Sequence, residues 1–475
     1  MLFSSLEFLY LFLPLTLLLY FAVPLRFRNP VLLVFSLIFY GWGEPVYVFL
    51  MVFTILVDFA AGLRIERAKT DRGRKGWLIT AIVINLLLLG FFKYSGFVLD
   101  NLRHIPVLSG LPTFSVALPI GISFYTFQAL SYVIDVYRRE VRAQRDPVAF
   151  GTYVTLFPQL IAGPIVRYSD VDEQLTTRSH SVEEAAGGAR TFVCGLCKKV
   201  LLANTAGSIW ATMRDMPVSE QTTLGAWLGI LCFTIQIYFD FSGYSDMAIG
   251  LGRILGFRFP ENFYYPMIAR SVSDYWRRWH ITLSTWFREY VYIPLGGNRR
   301  GKGRTYLNLL IVWILTGLWH GANWNFVIWG LYFFVLLAAE RLFLGRLLEK
   351  LPRTVGHIWT LLCVVFSFYI FVFDGSLPTL SGAAALSYLG IMFGAQGRGF
   401  CDARVGYELL RNLPFLALCV IGMTPLVKKS FWRLYEKGHA RVGAWLSVVL
   451  SLFGLALSTA YLVDSAYNPF LYFRF

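Results

Sequence analysis

Apolar runs long enough to cross a bilayer recur from one end of this chain to the other, and short basic segments separate them. A bilayer core of about 30 Å takes roughly 20 apolar residues in a helix. Stretches of about that length occupy 1–25, 77–99, 115–137, 191–213, 223–251, 357–373 and 445–462. Shorter apolar pieces lie at 31–42, where Gly41, Gly43 and Pro45 break the run, and at 46–63, 383–393 and 413–426. Lys and Arg gather between them, at Arg26 and Arg28, 64–76, 138–145, 299–304, 341–350 and 428–441. Such clusters mark cytoplasmic loops. The first run lacks a basic start and a small-residue cleavage site, so an uncleaved span is expected there. The pattern predicts an all-α polytopic membrane protein with about 11 spanning helices. The longest polar stretch, 167–190, leaves no room for a soluble domain, so residues 1–475 read as one membrane domain.

Three segments depart from the simple span. FPQLIAGPIVRY, at 157–168, holds two prolines and a glycine in an apolar setting and predicts a broken or re-entrant helix. In 272–293, Val272, Trp276, Trp279, Leu283, Trp286, Tyr290 and Ile293 recur at steps of four and three, opposite Asp274, Arg277, Ser284 and Arg288. This predicts an amphipathic interfacial helix with His280 on the border of its faces. Residues 306–339 carry no Lys, Arg, Asp or Glu. The run is too long for one span and has basic segments on both sides. It is expected to turn back near 317–325, with His320 at the turn inside the membrane.

Composition sharpens this picture. The 475 residues are 56% hydrophobic and 17% aromatic, beyond what soluble domains show. The net charge of +15 follows the loops and forms no basic stripe outside the bilayer, so no nucleic-acid partner is expected. Of the six cysteines only Cys194 and Cys197 make a CxxC. They lie in an apolar run without a second pair and read as packing residues, and no metal or bound cofactor is expected. Lys198 and Lys199 in that run are expected to reach an interface, and His104, His180, His357 and His439 to be incidental.

Candidate chemistry centres on His320, since an ionisable group buried in a membrane segment is costly and marks function by default. The run 223–251 adds Gln236, Asp240 and Asp246, with Tyr244 between the carboxylates. These form either an acid/base pair or a structural network. Along 115–137, Gln128, Ser131 and Asp135 share one helical face, as in a helix–helix seam. Neither a GxSxG elbow nor an HExxH pattern accompanies His320. Three roles stay open: direct transfer to a hydroxyl acceptor, proton relay in a transporter, and a structural histidine.

LWHGANWNFVIWG, YWRRWHITLSTWFREYVYIPLGGNR, FDFSGYSDMAIGLG and FPQLIAGPIVRY together resemble the membrane-bound O-acyltransferase family. LPIGISFYTFQALSYVIDVYR and the closing NPFLYFRF resemble its bacterial branch for alginate and other exopolysaccharide O-acetylation. The resemblance implies the family's helical fold, with a catalytic core over about 115–340 and re-entrant and interfacial helices. It implies a cytosolic thioester donor, acetyl-CoA, and an acceptor on the outer face of a bacterial inner membrane. His320 matches the family's catalytic histidine and His280 its second active-site position; Trp319, Asn323, Asp240, Tyr244 and Arg278 are the expected substrate contacts. Implied partners are membrane lipid, a polysaccharide synthesis and export complex, and a periplasmic acetyltransferase of the serine-nucleophile hydrolase type. Acyl transfer from a carrier protein, as in D-alanylation, is the alternative within the family; a proton-coupled transporter is the alternative outside it.

Overall fold

The computed structural model describes residues 1–114, 116–395, 399–436, 440–464 and 468. Among the described residues every regular element is helical. Among the described residues eight helices are long and apolar enough to cross a membrane, from Tyr47–Arg67 to Arg441–Asp464. The expected eleven or so is not reached by length and composition. Phe8–Ala22 and Gly382–Met392 are apolar but short. Leu25–Gly43 opens on Arg26, Arg28 and Pro30, and Ile122–Arg138 has only 17 residues. Phe49, Leu87, Leu410 and Leu452 are exposed on these helices, as lipid-facing side chains are and as a soluble surface rarely allows.

The chain forms two compact units. The first comprises Met1–Phe192, Tyr244–Glu261 and Arg288–Tyr290. Here Tyr47–Arg67 and Asp71–Leu89 pack together and against Ile122–Arg138. Gly62 permits that contact, because a Cβ there would strike the Tyr132 hydroxyl. The stripe of Gln128, Ser131 and Asp135 is buried, and the Asp135 carboxylate accepts the Tyr290 hydroxyl at 2.9 and 3.0 Å. A second buried pair joins Asn85 Nδ2 to Asp58 at 2.9 Å. The segment 157–168 breaks as expected: a single turn, Phe157–Leu160, leads to irregular, buried chain.

The second unit comprises Val193–Gly243, Asn262–Phe287 and Val291–Phe475. Four expectations change in it. Lys199 does not reach an interface: it is buried, 2.7 Å from Asp240, and it also donates to Asn204 Oδ1 at 3.0 Å. An ammonium at membrane depth is tolerable only with such partners. Cys197 packs near Gly454 and Ser458, but Cys194 is exposed. The span foreseen at 413–426 is the helix Ala403–Gly422, and part of the basic loop after it is the helix Leu426–Glu436. The amphipathic segment is not one helix. Val272–Trp276 and Ile281–Phe287 flank a turn in which His280 adopts φ +44°. His439 and the closing residues other than Asn468 lie outside the described residues.

The charge-free run folds back as expected. Lys302–His320 and Trp324–Ala339 pack closely along each other, joined by residues 321–323. Small residues set their spacing. A Cβ on Gly317 would enter the Phe326 carbonyl, and one on Gly330 would enter the Trp313 carbonyl. The two glycines face each other, since the Gly330 Cβ position is 3.5 Å from Gly317 Cα.

Candidate active site

His320 is the last residue of the hairpin's first helix and is only 7% exposed. Its ring meets Trp319, Trp329 and Phe371 nearly edge-on, at centroid distances of 5.1, 5.0 and 5.3 Å. His280 is wholly buried. Its ring stands perpendicular to Phe241 at 4.7 Å and meets Trp319 at 5.9 Å. Trp319 therefore touches both histidines. The break at 277–280 explains how a residue expected on a helix border comes to point inward: a left-handed φ costs about 1–3 kcal/mol on a non-glycine residue and re-aims the side chain.

Asn262 fixes the His280 ring. Its Oδ1 accepts from His280 Nδ1–H at 3.1 Å, from Thr282 Oγ1–H at 2.8 Å and from the Thr282 backbone N–H at 3.4 Å. Its backbone oxygen accepts from Ile281 N–H at 3.0 Å. The Nδ1–H tautomer leaves Nε2 as a lone-pair acceptor, and among the described residues Nε2 has no partner. Burial, and after it the charge of His320, hold His280 well below the ordinary histidine range, so the imidazole is neutral. The buried indole N–H groups of Trp276 and Trp329 likewise have no hydrogen-bond partner among the described residues. Trp276 contacts Trp329 at 5.8 Å, and Trp329 contacts His320.

Glu340, at the far end of the hairpin, secures the start of Val272–Trp276. Its carboxylate accepts from Val272 N–H at 2.6 Å, Ser273 N–H at 2.9 Å and Ser273 Oγ–H at 2.7 Å. Beside it lies a cavity of about 760 Å³ whose lining includes Arg270, Asp274, Arg277, Arg341 and Arg353.

The membrane-bound O-acyltransferase family model matches residues 113–383, which include both histidines and Asn262. The chain belongs to this family. It is 45% identical to a probable alginate O-acetylase, AlgI, of Pseudomonas putida over the whole of both chains. To its counterpart in Azotobacter vinelandii it is also 45% identical, over 78% of this chain and 75% of the relative. A peptidoglycan O-acetyltransferase of Helicobacter pylori is 32% identical over 100% of this chain and 98% of its own. The protein is thus a multi-pass membrane O-acyltransferase.

Of the residues singled out in this O-acyltransferase from its sequence, the fold gathers His320, His280 and Trp319. Asn323 caps Trp324–Ala339, with Oδ1 accepting from Trp324 N–H at 2.6 Å and Nδ2 donating to the Asp374 carbonyl. Asp240 faces Lys199. Arg278 pairs with Asp274 at 3.0 Å and lies over the Tyr264 ring. Tyr244 belongs to the first unit and stacks on Phe3 at 4.5 Å. His357 anchors on the Ala269 carbonyl at 3.0 Å. His180 is half-buried, among Tyr20, Arg28 and Leu255. Sequence reasoning missed Asn262, Trp329 and Glu340. Asn262 lies in an irregular stretch without periodicity, and Trp329 read as one more apolar residue; Glu340, the first charge after the run, was the one available signal.

Proposed function

We propose that this O-acyltransferase moves acetyl groups from cytosolic acetyl-CoA across a bacterial inner membrane for the O-acetylation of an exported polysaccharide such as alginate or cellulose. The observation that carries the reading is the pair of enclosed histidines gathered on Trp319, one with its tautomer fixed and its other ring nitrogen available. The relatives' names support acetyl as the group and a cell-envelope polymer as its destination.

In this reading His320 is the general base. It takes the proton of the acceptor hydroxyl as that oxygen bonds to the thioester carbonyl carbon, and the carbonyl electron pair becomes an oxyanion. Indole N–H groups of Trp329 and Trp276 stabilise that charge in a dry site, where one such donor is worth about 10²–10³ in rate. Collapse expels the thiolate, which recovers the proton from His320. His280, held by Asn262, presents Nε2 to orient the hydroxyl, and Trp319 lines the substrate path. The arginines of the neighbouring cavity, Arg270, Arg277 and Arg353, suit the phosphates of coenzyme A.

Selection of the sugar position falls to a partner outside. A polysaccharide acetyltransferase needs a folded polar groove, and the longest polar stretch of this sequence, 167–190, is too short to supply one. A periplasmic serine-nucleophile acetyltransferase and the polymer's synthesis and export complex supply it. The test uses proteoliposomes with radiolabelled acetyl-CoA inside and polysaccharide outside, with and without that partner. Acetyl label outside, placed at specific sugar positions only with the partner, is expected. Specific acetylation by this chain alone refutes the division of labour. Label transfer only from an acyl carrier protein moves the donor to that class, and proton-coupled solute uptake without acetyl transfer refutes the enzyme reading of the site.

A further inference from the structure

The first unit holds a cluster of cations where the apolar helix Phe8–Ala22 ends. The Arg28 guanidinium lies 5.0 Å from the Tyr20 ring and 5.5 Å from Phe21. The Arg178 guanidinium lies 5.9 Å from the same Tyr20 ring and 4.5 Å from Phe257. His180 completes the group: its Nδ1 accepts from Arg28 Nη1–H at 2.9 Å, and its Nε2 is 2.9 Å from the Tyr20 hydroxyl. Tyr20 is fully buried and donates to the Leu255 carbonyl at 2.7 Å. Gly256, at φ +84°, brings the chain close, since a Cβ there would sit 2.9 Å from His180 Nε2. These contacts fix the cluster on three separate parts of the unit.

No acid balances it. Among the described residues neither Arg28 nor Arg178 makes an ion pair, and both have a buried Nε–H with no acceptor. Glu184 is 3.5 Å from Arg253 and 3.4 Å from Arg258 instead. Burial first, then the Arg28 charge, lowers the His180 pKa, so the ring stays neutral and accepts from Arg28. Two guanidinium groups sharing one aromatic ring repel each other, and an anion between them removes that repulsion. The rim shows which kind. Phe21, Leu25 and Phe27 are exposed, and Arg26 lies over Phe27 at 4.8 Å. Cations ringed by exposed apolar side chains at the end of an apolar helix match the boundary between lipid headgroups and acyl chains.

We propose that Arg28 and Arg178, held by Tyr20 and His180, bind the phosphate group of an anionic phospholipid. The fork of each arginine suits phosphate oxygens, and the acyl chains lie along Phe21, Leu25 and Phe27.

The test measures thermal unfolding of the whole protein in nanodiscs of phosphatidylcholine, with and without phosphatidylglycerol. Phosphatidylglycerol raises the wild-type melting temperature by several degrees and does not raise that of Arg28→Gln/Arg178→Gln. The charge-matched Arg72→Gln/Arg142→Gln variant, at exposed arginines outside the cluster, keeps the wild-type shift. Inorganic phosphate added to the phosphatidylcholine discs separates the sources: no shift names the lipid, and an equal shift identifies the same site as one for free phosphate. An undiminished phosphatidylglycerol shift in Arg28→Gln/Arg178→Gln, or no shift from either ligand in the wild type, overturns the proposal. If the double variant does not assemble, Arg28→Lys and Arg178→Lys decide: each keeps the charge but loses the fork, so a reduced shift is expected and a full one overturns it.

Discussion

Replacing Asn262 with leucine removes the acceptor that fixes the His280 ring. Three donors meet at Asn262 Oδ1. The Thr282 hydroxyl can rotate to another acceptor, and the Thr282 N–H bond is long, so the stability loss is about 1–3 kcal/mol, the cost of leaving one buried group unsatisfied. The catalytic loss is larger. Without the amide oxygen, His280 is free to carry its proton on Nε2, and the lone pair proposed to orient the acceptor hydroxyl disappears. A wrong tautomer in an otherwise intact site has cost about 10⁴ in a serine protease; for a supporting histidine about 10²-fold in kcat is expected, with the donor KM little changed. Asn262→Asp gives the second arm. A carboxylate there accepts the same hydrogen bond but stabilises imidazolium, so the His280 pKa rises from its depressed value. If neutral His280 is needed, activity at high pH survives, and it is lost as pH falls through the raised pKa. The assay is acetyl transfer from radiolabelled acetyl-CoA against pH, at matched protein levels and alongside thermal unfolding. Normal kcat in Asn262→Leu, or an unmoved acid limb in Asn262→Asp, refutes the role given to Asn262.

Four further outcomes are expected. His320→Ala inserts in the membrane at normal level and abolishes acetylation, whereas His280→Asn keeps more activity than His280→Ala; polymer acetyl content checks both. Gly317→Ala forces the hairpin helices apart by on the order of 1 Å, lowering stability by about 1–3 kcal/mol and activity by up to about 10²-fold through the displaced His320; Gly76→Ala, with open space around its Cβ position, is the control. Lys199→Met breaks the buried 2.7 Å pair with Asp240 and costs about 3–5 kcal/mol, while Lys199→Met/Asp240→Leu recovers most of it, read by unfolding in detergent. Cysteines placed at Lys302 and Arg346 are labelled from the same side of the membrane; labelling from opposite sides contradicts a turned-back segment.

The sequence by itself determined the helical membrane class and the hairpin, and it singled out His320. Each rests on a one-dimensional signal: runs of about 20 apolar residues, a run too long for one span between two basic flanks, and one histidine in a stretch without charge. Glycines at 317 and 330 were visible too, but only the packed helices show that they face each other. Other features were decided by the tertiary structure alone. The periodicity of 272–293 suited one continuous helix, and the segment breaks at 277–280 because burying His280 against Phe241, Trp319 and Asn262 outweighs local helical preference. Lys199 finds Asp240 41 residues away, and Glu340 finds Val272 and Ser273 across 68 and 67 residues. Hydrophobic periodicity records which face of a helix is dry. It carries no record of which distant side chain satisfies a buried charge or holds a ring in one tautomer, because those pairings exist only once the chain has folded.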